Sequence, residues 1–410
     1  MALPATINVQ LDFSTGATFG YPFIIGDEKY GVLGTGTLAG STTPALFADL
    51  TGQTRKISIR RGRNVIRDTY EGGTATVTIT DLNGDFNPQN PSSPYYTYLT
   101  PLRKIRISAN GIYLFSGYTI DYAYSYDQAE QVGIVSINCA DAFRLFNLAA
   151  VTAVTGSSAG QDTGTRLNKI LDTIDFPTNM RTIDTGNSTC QADPATTRTG
   201  LAAIKNVEFS EQGAFYVNPS GTAIFKNRTN TIGSGAGTPI KFNQTGDIPY
   251  RNLKFAFDDK LIVNTAGVTR TGGTKQSYTD ADSVAKYFPH ALDQTDLVIE
   301  TDAQALDIAK IYVATRKDTT IRIDEMTVDL QDPSVPTNTI LDMDYFTNVE
   351  ISNIQPDGST ITKELQIQGV AWDITPNTMV ATFTTLERLT DGIIIGSSTY
   401  GVLGDDILGY

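Results

Sequence analysis

The chain has 410 residues, 40 % of them hydrophobic and 18 % charged, and a net charge of −13. That length allows about two to four domains with cores of their own, and the acidic balance gives no electrostatic reason to grip nucleic acid, whose phosphates need clustered Lys and Arg. Two cysteines and one histidine supply neither a disulfide framework nor a zinc site, no apolar run approaches the ~18 residues of a membrane span, and the N-terminus shows no export signal, so a protein without a membrane anchor, made and used without translocation, is expected.

In chain order, residues 23–40 carry an element that returns at residues 393–410, with nine of eighteen positions identical, including Tyr-Gly-Val-Leu-Gly at 30–34 and 400–404. The Gly-rich stretch after the first copy is not a phosphate loop: its spacing is wrong, and the second copy puts Asp405-Asp406 where the first has Thr35-Gly36. The copies share Tyr30, Val32, Leu33 and Leu38 with Tyr400, Val402, Leu403 and Leu408. Apolar docking to another subunit is the expectation; a cap packed on its own domain is the alternative.

The basic run Arg55–Arg63 alternates with apolar residues and is expected to be the outward face of a strand. Ala75, Val77 and Ile79 alternate with threonines, a half-buried strand of period two. Similar signals lie at 56–60, 104–108, 112–115 and 133–139. Asn110-Gly111 predicts a hairpin, because both central residues of that turn need positive φ. Asp81–Asn87 imitates the start of a calcium loop, but position twelve is Ser92 instead of a bidentate Glu, so a turn held by side-chain hydrogen bonds is expected. Tyr122, Tyr124 and Tyr126 share one face if their segment is a strand. A subunit interface suits them, with a sugar-binding platform as the sharper alternative.

Leu167, Ile170, Leu171 and Ile174 predict a helix capped by Thr163 or Thr165. A second helix is expected over 200–207, then strands over 214–217 and 222–226. Strands resume at 253–257 and 261–269. Helices at 280–287 and 301–316 interrupt, the latter opened by Thr301 and Asp302. Strands return at 320–330, 348–352, 362–368 and 380–385. The expected fold is mainly β with α+β insertions, its short strands and turns suggesting barrels or sandwiches. Its expected divisions are 1–150 (with a loop at 21–50 carrying the first repeat), 151–245 (α+β), 246–390 (β, with a helical interruption at 276–317) and a docking tail at 391–410.

No catalytic constellation emerges. His290 is alone after Phe288-Pro289, with nothing near it like a nucleophile elbow, and paired acids such as Asp258-Asp259 read as solvated surface. No enzyme activity, cofactor or metal is expected.

Several segments resemble hub and minor tail proteins of long-tailed bacteriophages: Ile57–Arg63 followed by Tyr70–Ile79 and Asn83–Pro88, then Asn138–Leu145, Glu211–Val217 with Gly221–Phe225, and Leu365–Ile374. The resemblance implies two tube-like β-barrel or sandwich domains plus smaller α+β domains. It implies a homotrimer that offers six similar barrels to a sixfold tail. It also implies contacts with a distal tail protein or the tail tube, the tape measure and tail-tip or fibre proteins. DNA would pass through without specific binding, which the acidic balance of the chain suits. The expected location is the virion tail tip, after assembly in the host cytoplasm. A hexameric distal tail protein and a carbohydrate-binding receptor-recognition module are the alternatives.

Overall fold

Alternating β-branched residues build the first half of the chain into an antiparallel ladder. The computed structural model describes residues 3–13, 47–64, 69–129, 131–233, 238–319 and 321–387. Strands β1 (Ile7–Asp12), β2 (Phe47–Asp49), β3 (Thr54–Asn64), β4 (Thr69–Asp81), β5 (Lys104–Ala109), β6 (Ile112–Asp127) and β7 (Val132–Ala140) pair in the order β3-β4-β7-β6-β5-β1-β2. Ala75, Val77 and Ile79 on β4 and Val135, Ile137 and Cys139 on β7 are buried, while the threonines of β4 stay at least partly exposed, as the period of two predicts. Asn110 and Gly111 adopt φ of 50° and 80° and close the β5–β6 hairpin. Asp81 turns its carboxylate back onto the N–H groups of Asp85 and Phe86 at 2.8 and 2.9 Å, the side-chain-held turn expected there.

Helices α1 (Phe143–Leu148), α2 (Thr163–Thr173) and α3 (Gly200–Glu211) pack with strands Ala214–Val217 and Ala223–Lys226 around Phe146, Leu167, Ile204 and Phe215. The cap of α2 is Asp162, not Thr163 or Thr165: its carboxylate accepts from Thr165 N–H at 2.9 Å, and both threonines lie inside the helix. A carboxylate is the stronger acceptor for an orphan N–H and also suits the positive end of the helix.

Strands Asn252–Ala256, Arg322–Asp329, Thr378–Glu387 and Thr360–Thr375 pair antiparallel in that order, with Asn348–Ile354 beside the last. The interruption at 276–317 is more than helical. Helices Ala281–Tyr287 and Asp302–Arg316 accompany strands Gln276–Thr279 and Ala291–Leu297, which flank Thr265–Arg270 in a three-stranded sheet. Thr301 caps the longer helix in a capping box with Gln304.

The two β groups follow one plan. β6 and Thr360–Thr375 are both 16 residues long. Each pairs in its first half with an outer strand, β5 or Asn348–Ile354, and each carries a bulge against the next strand, β7 or Thr378–Glu387. From there β7-β4-β3 runs parallel in topology to Thr378–Glu387, Arg322–Asp329 and Asn252–Ala256.

Candidate functional site

Two features stand out where the β groups meet each other and solvent: a buried seam and two open sheet edges. At the seam, Gly369–Ile374 pairs antiparallel with Ile57–Gly62 of β3, so both groups belong to one 13-stranded sheet. Trp372 faces Ile59 and Ile374 faces Ile57, all four at most 2 % exposed.

Arg61 pins this seam. It is 5 % exposed, and its guanidinium donates to Asp344 Oδ1 at 2.9 Å and to the carbonyl of Val217 at 3.0 Å while lying 4.8 Å over the Tyr345 ring. One side chain thus ties β3 to the second β group and to the α+β insertion. The expectation that the whole basic run faces outward is therefore corrected. Arg55, Lys56 and Arg60 do face solvent, but Arg61 continues the buried row of Ile57 and Ile59, every second residue of the strand, and so faces inward with them. Beside it, Tyr70, Tyr216, Tyr345 and Phe346 form an aromatic cluster with ring centroids 5.0–5.9 Å apart. Tyr70 donates to Gln368 Oε1 at 2.5 Å.

Asp141 closes the exit from β7 into α1. Its carboxylate accepts from Gly73 N–H at 2.5 Å and Phe143 N–H at 2.9 Å. Burial pushes this carboxyl up to about 7, against the lowering pull of those two donors and of Arg61. The folded state therefore holds a proton that the unfolded chain has released above about 3.8. The stability from this group is full below that lower value and is lost as pH rises through about 7. Denaturant midpoints should fall between about pH 4 and about pH 7, and Asp141→Asn should flatten that part of the curve. An unchanged slope would mean that the group titrates elsewhere.

Among the described residues, the second half of β6 pairs with β7 on one side only, and Asn252–Ala256 pairs with Arg322–Asp329 on one side only. These edges carry exposed aromatic rings: Tyr124 (36 %) and Tyr126 (60 %) on the first, Phe255 (37 %) and Phe257 (69 %) on and beside the second.

No protein-family model and no curated protein matches the sequence. Solved structures do. The prophage MuSo2 43 kDa tail protein from Shewanella oneidensis aligns with a TM-score of 0.54 at 13 % identity, over 84 % of this chain and 94 % of its own. A tail protein from Neisseria meningitidis MC58 aligns with a TM-score of 0.55 at 10 % identity, over 93 % of this chain and 96 % of its own. The chain has a phage tail-protein fold.

Within this tail-protein fold the sequence-predicted residues are divided. Tyr122, Tyr124 and Tyr126 come together on β6. Tyr122 is half-buried with its ring centroid 6.4 Å from Phe86, and burial pushes its hydroxyl up to about 12, so it belongs as much to the core as to the surface. Tyr30, Val32, Leu33, Leu38, Tyr400, Val402, Leu403 and Leu408 lie outside the described residues. His290 hydrogen-bonds the carbonyl of Phe288 at 3.0 Å and Asp259 at 3.3 Å. Cys139 and Cys190 are free, buried thiols. Among the described residues no group of three or more His, Cys, Asp or Glu is arranged to hold a metal.

Sequence reasoning missed Glu211, fully buried, whose carboxylate accepts from Thr163 Oγ1 at 2.7 Å and from the N–H groups of Asn187 and Ser188 at 3.0 and 2.8 Å. Its partners are scattered along the chain and left no local signal.

Proposed function

We propose that this chain is a structural protein of a long-tailed phage: the tail-tip or baseplate hub that joins the sixfold tail tube to the tip complex as a pseudo-sixfold homotrimer. The observation that carries this reading is the repeated strand plan within one continuous sheet. Three chains of that kind present six similar β groups, which is the number a sixfold neighbour requires. A distal tail protein built on one such group per chain would need six copies for the same match.

On this reading the work is assembly without covalent chemistry or a cofactor. The neighbours are the distal tail protein or tail tube, the tape measure, and tip or fibre proteins. The divisions 1–150, 151–245, 246–390 and 391–410 are the corresponding units. Three chains carry six copies of Tyr-Gly-Val-Leu-Gly, one for each equivalent site on a sixfold ring. The net charge of −13 suits a passage through which DNA slides without sticking. The particle is the virion tail tip, assembled in the host cytoplasm.

Native mass measurement of the purified chain tests this. The expected species is three chains of 44.3 kDa each. Six chains would favour the distal tail protein. Glycan binding lost in Tyr124→Ala, with the oligomer unchanged, would favour receptor recognition instead.

A further inference from the structure

The seam inside the chain is a template for the contact between chains. β6 and Thr360–Thr375 hold the same place in their groups, and so do β3 and Asn252–Ala256. Inside the chain, Thr360–Thr375 pairs with β3. Of these four strands, the two left with an open side among the described residues are the other members of the same pairs: β6, in its second half, and Asn252–Ala256. Asn252–Ala256 ends the strand run on one side, and the second half of β6, past its pairing with β5, lies beyond six intervening strands, so in one chain the two are separated, but successive copies can join them.

The register follows from the bulges. β6 skips Ile120 against β7, and Thr360–Thr375 skips Gln368 against Thr378–Glu387. Setting these together places Asp121 at Gly369, Tyr124 at Trp372 and Tyr126 at Ile374. Stepping across the sheet, Asn138 then matches Thr384, Thr76 matches Glu325, and Ser58 matches Lys254. Leu253 therefore stands where Ile57 does. Just past Lys254, Arg322–Asp329 bulges, passing over Asp324 between the pairs Lys254–Glu325 and Phe255–Ile323, while Asn252–Ala256 runs on without a skipped residue; along its open side Phe255 follows Lys254 as Ile59 follows Ser58. The internal pairs Trp372–Ile59 and Ile374–Ile57 become Tyr124–Phe255 and Tyr126–Leu253.

The exposures agree. Trp372 and Ile59 are 2 % and 1 % exposed, whereas Tyr124 and Phe255 are 36 % and 37 % exposed. Large rings stand half in water at the positions that the internal seam buries. An uncovered edge with apolar side chains is a template for further pairing, and aromatic pairs directly across antiparallel strands are among the stabilising ones.

We propose that the second half of β6 pairs antiparallel with Asn252–Ala256 of a second copy of this chain, with Tyr124 opposite Phe255, and that three such contacts close the sheet into a ring. This rests on the trimeric hub reading and gives it a residue register.

The test uses the full chain in two double-cysteine forms, Tyr124→Cys with Phe255→Cys and, as the out-of-register control, Ser125→Cys with Phe255→Cys, treated with a short bis-maleimide. Directly opposite residues bring their Cβ atoms within about 5.5 Å, whereas neighbours on a strand point to opposite faces. The expected result is covalent trimer from the first form in marked excess over the second. A trimer by native mass whose Tyr124→Cys and Phe255→Cys do not join overturns the register and leaves the hub assignment standing. A chain that stays monomeric overturns both. Slow amide exchange along 121–127 in such a monomer would assign that edge to another segment of the same chain, and would equally overturn the proposal. Charged substitutions at these exposed positions, Tyr124→Asp with Phe255→Asp, should leave the unfolding transition in place and abolish the trimer.

Discussion

Arg61→Ala should be among the most destabilising single changes in the chain, by about 2–3 kcal/mol, because a nearly buried guanidinium serves three partners at once and its loss leaves them unpaired. Asp344, with its side chain 26 % exposed, would keep its charge without the guanidinium, and the Val217 carbonyl would lose its donor. The Tyr345 ring would lose the cation lying over it. Arg61→Lys should recover only part of the loss, because an ammonium cannot span Asp344 and Val217 in the planar fork that a guanidinium offers. The measurement is the chemical denaturation midpoint of the three proteins. If Arg61→Ala unfolds like the parent, Arg61 is not the pin between β3, the insertion and the second β group.

Trp372→Ala should be of comparable size, about 3–5 kcal/mol, the range for truncating a large buried aromatic residue. Trp372 is 2 % exposed and faces Ile59 across the seam, so the cavity would open where the two β groups share their sheet. The loss should therefore register in denaturation and also in assembly, since a loosened seam no longer fixes one β group against the other. Truncation of the exposed Leu82, at 72 %, should change stability by less than about 0.5 kcal/mol. Equal effects at the two sites would mean that the seam contributes no more than the surface does.

The parts of this fold that were legible in the sequence are those whose signal is local. β4 shows its alternation over Thr74–Thr80, the β5–β6 hairpin is written in Asn110-Gly111, and the helix Asp302–Arg316 announces itself through Thr301 and the spacing of Ala305, Ile308, Ala309 and Tyr312. Strands Gln276–Thr279 and Ala291–Leu297 left no such mark. They are largely exposed and mostly polar, so neither period dominates their residues.

The seam lay further from reach. Ile57 and Ile374 each read as an ordinary strand residue, and their pairing joins positions more than three hundred residues apart. Arg61 misled for a related reason: it shares the buried face of Ile57 and Ile59, but the groups that let a charge lie there, Asp344 and the Val217 carbonyl, are far along the chain. For the candidate interface, the three tyrosines of β6 stood out by number and spacing, but their natural counterpart, Phe255, sits in a short strand with one unremarkable ring. Only the strand order showed that the two belong to equivalent edges.

Cryo-electron microscopy of the assembled protein tests the central claim most directly: that a protomer with two matched β groups lets a threefold assembly meet a sixfold one. The account predicts three chains around a channel, with six similar β groups in near-sixfold array and the first and second groups of each chain alternating round the ring. Six chains, each giving one group to the ring, or a ring in which the two groups of a chain occupy unlike environments, would contradict it.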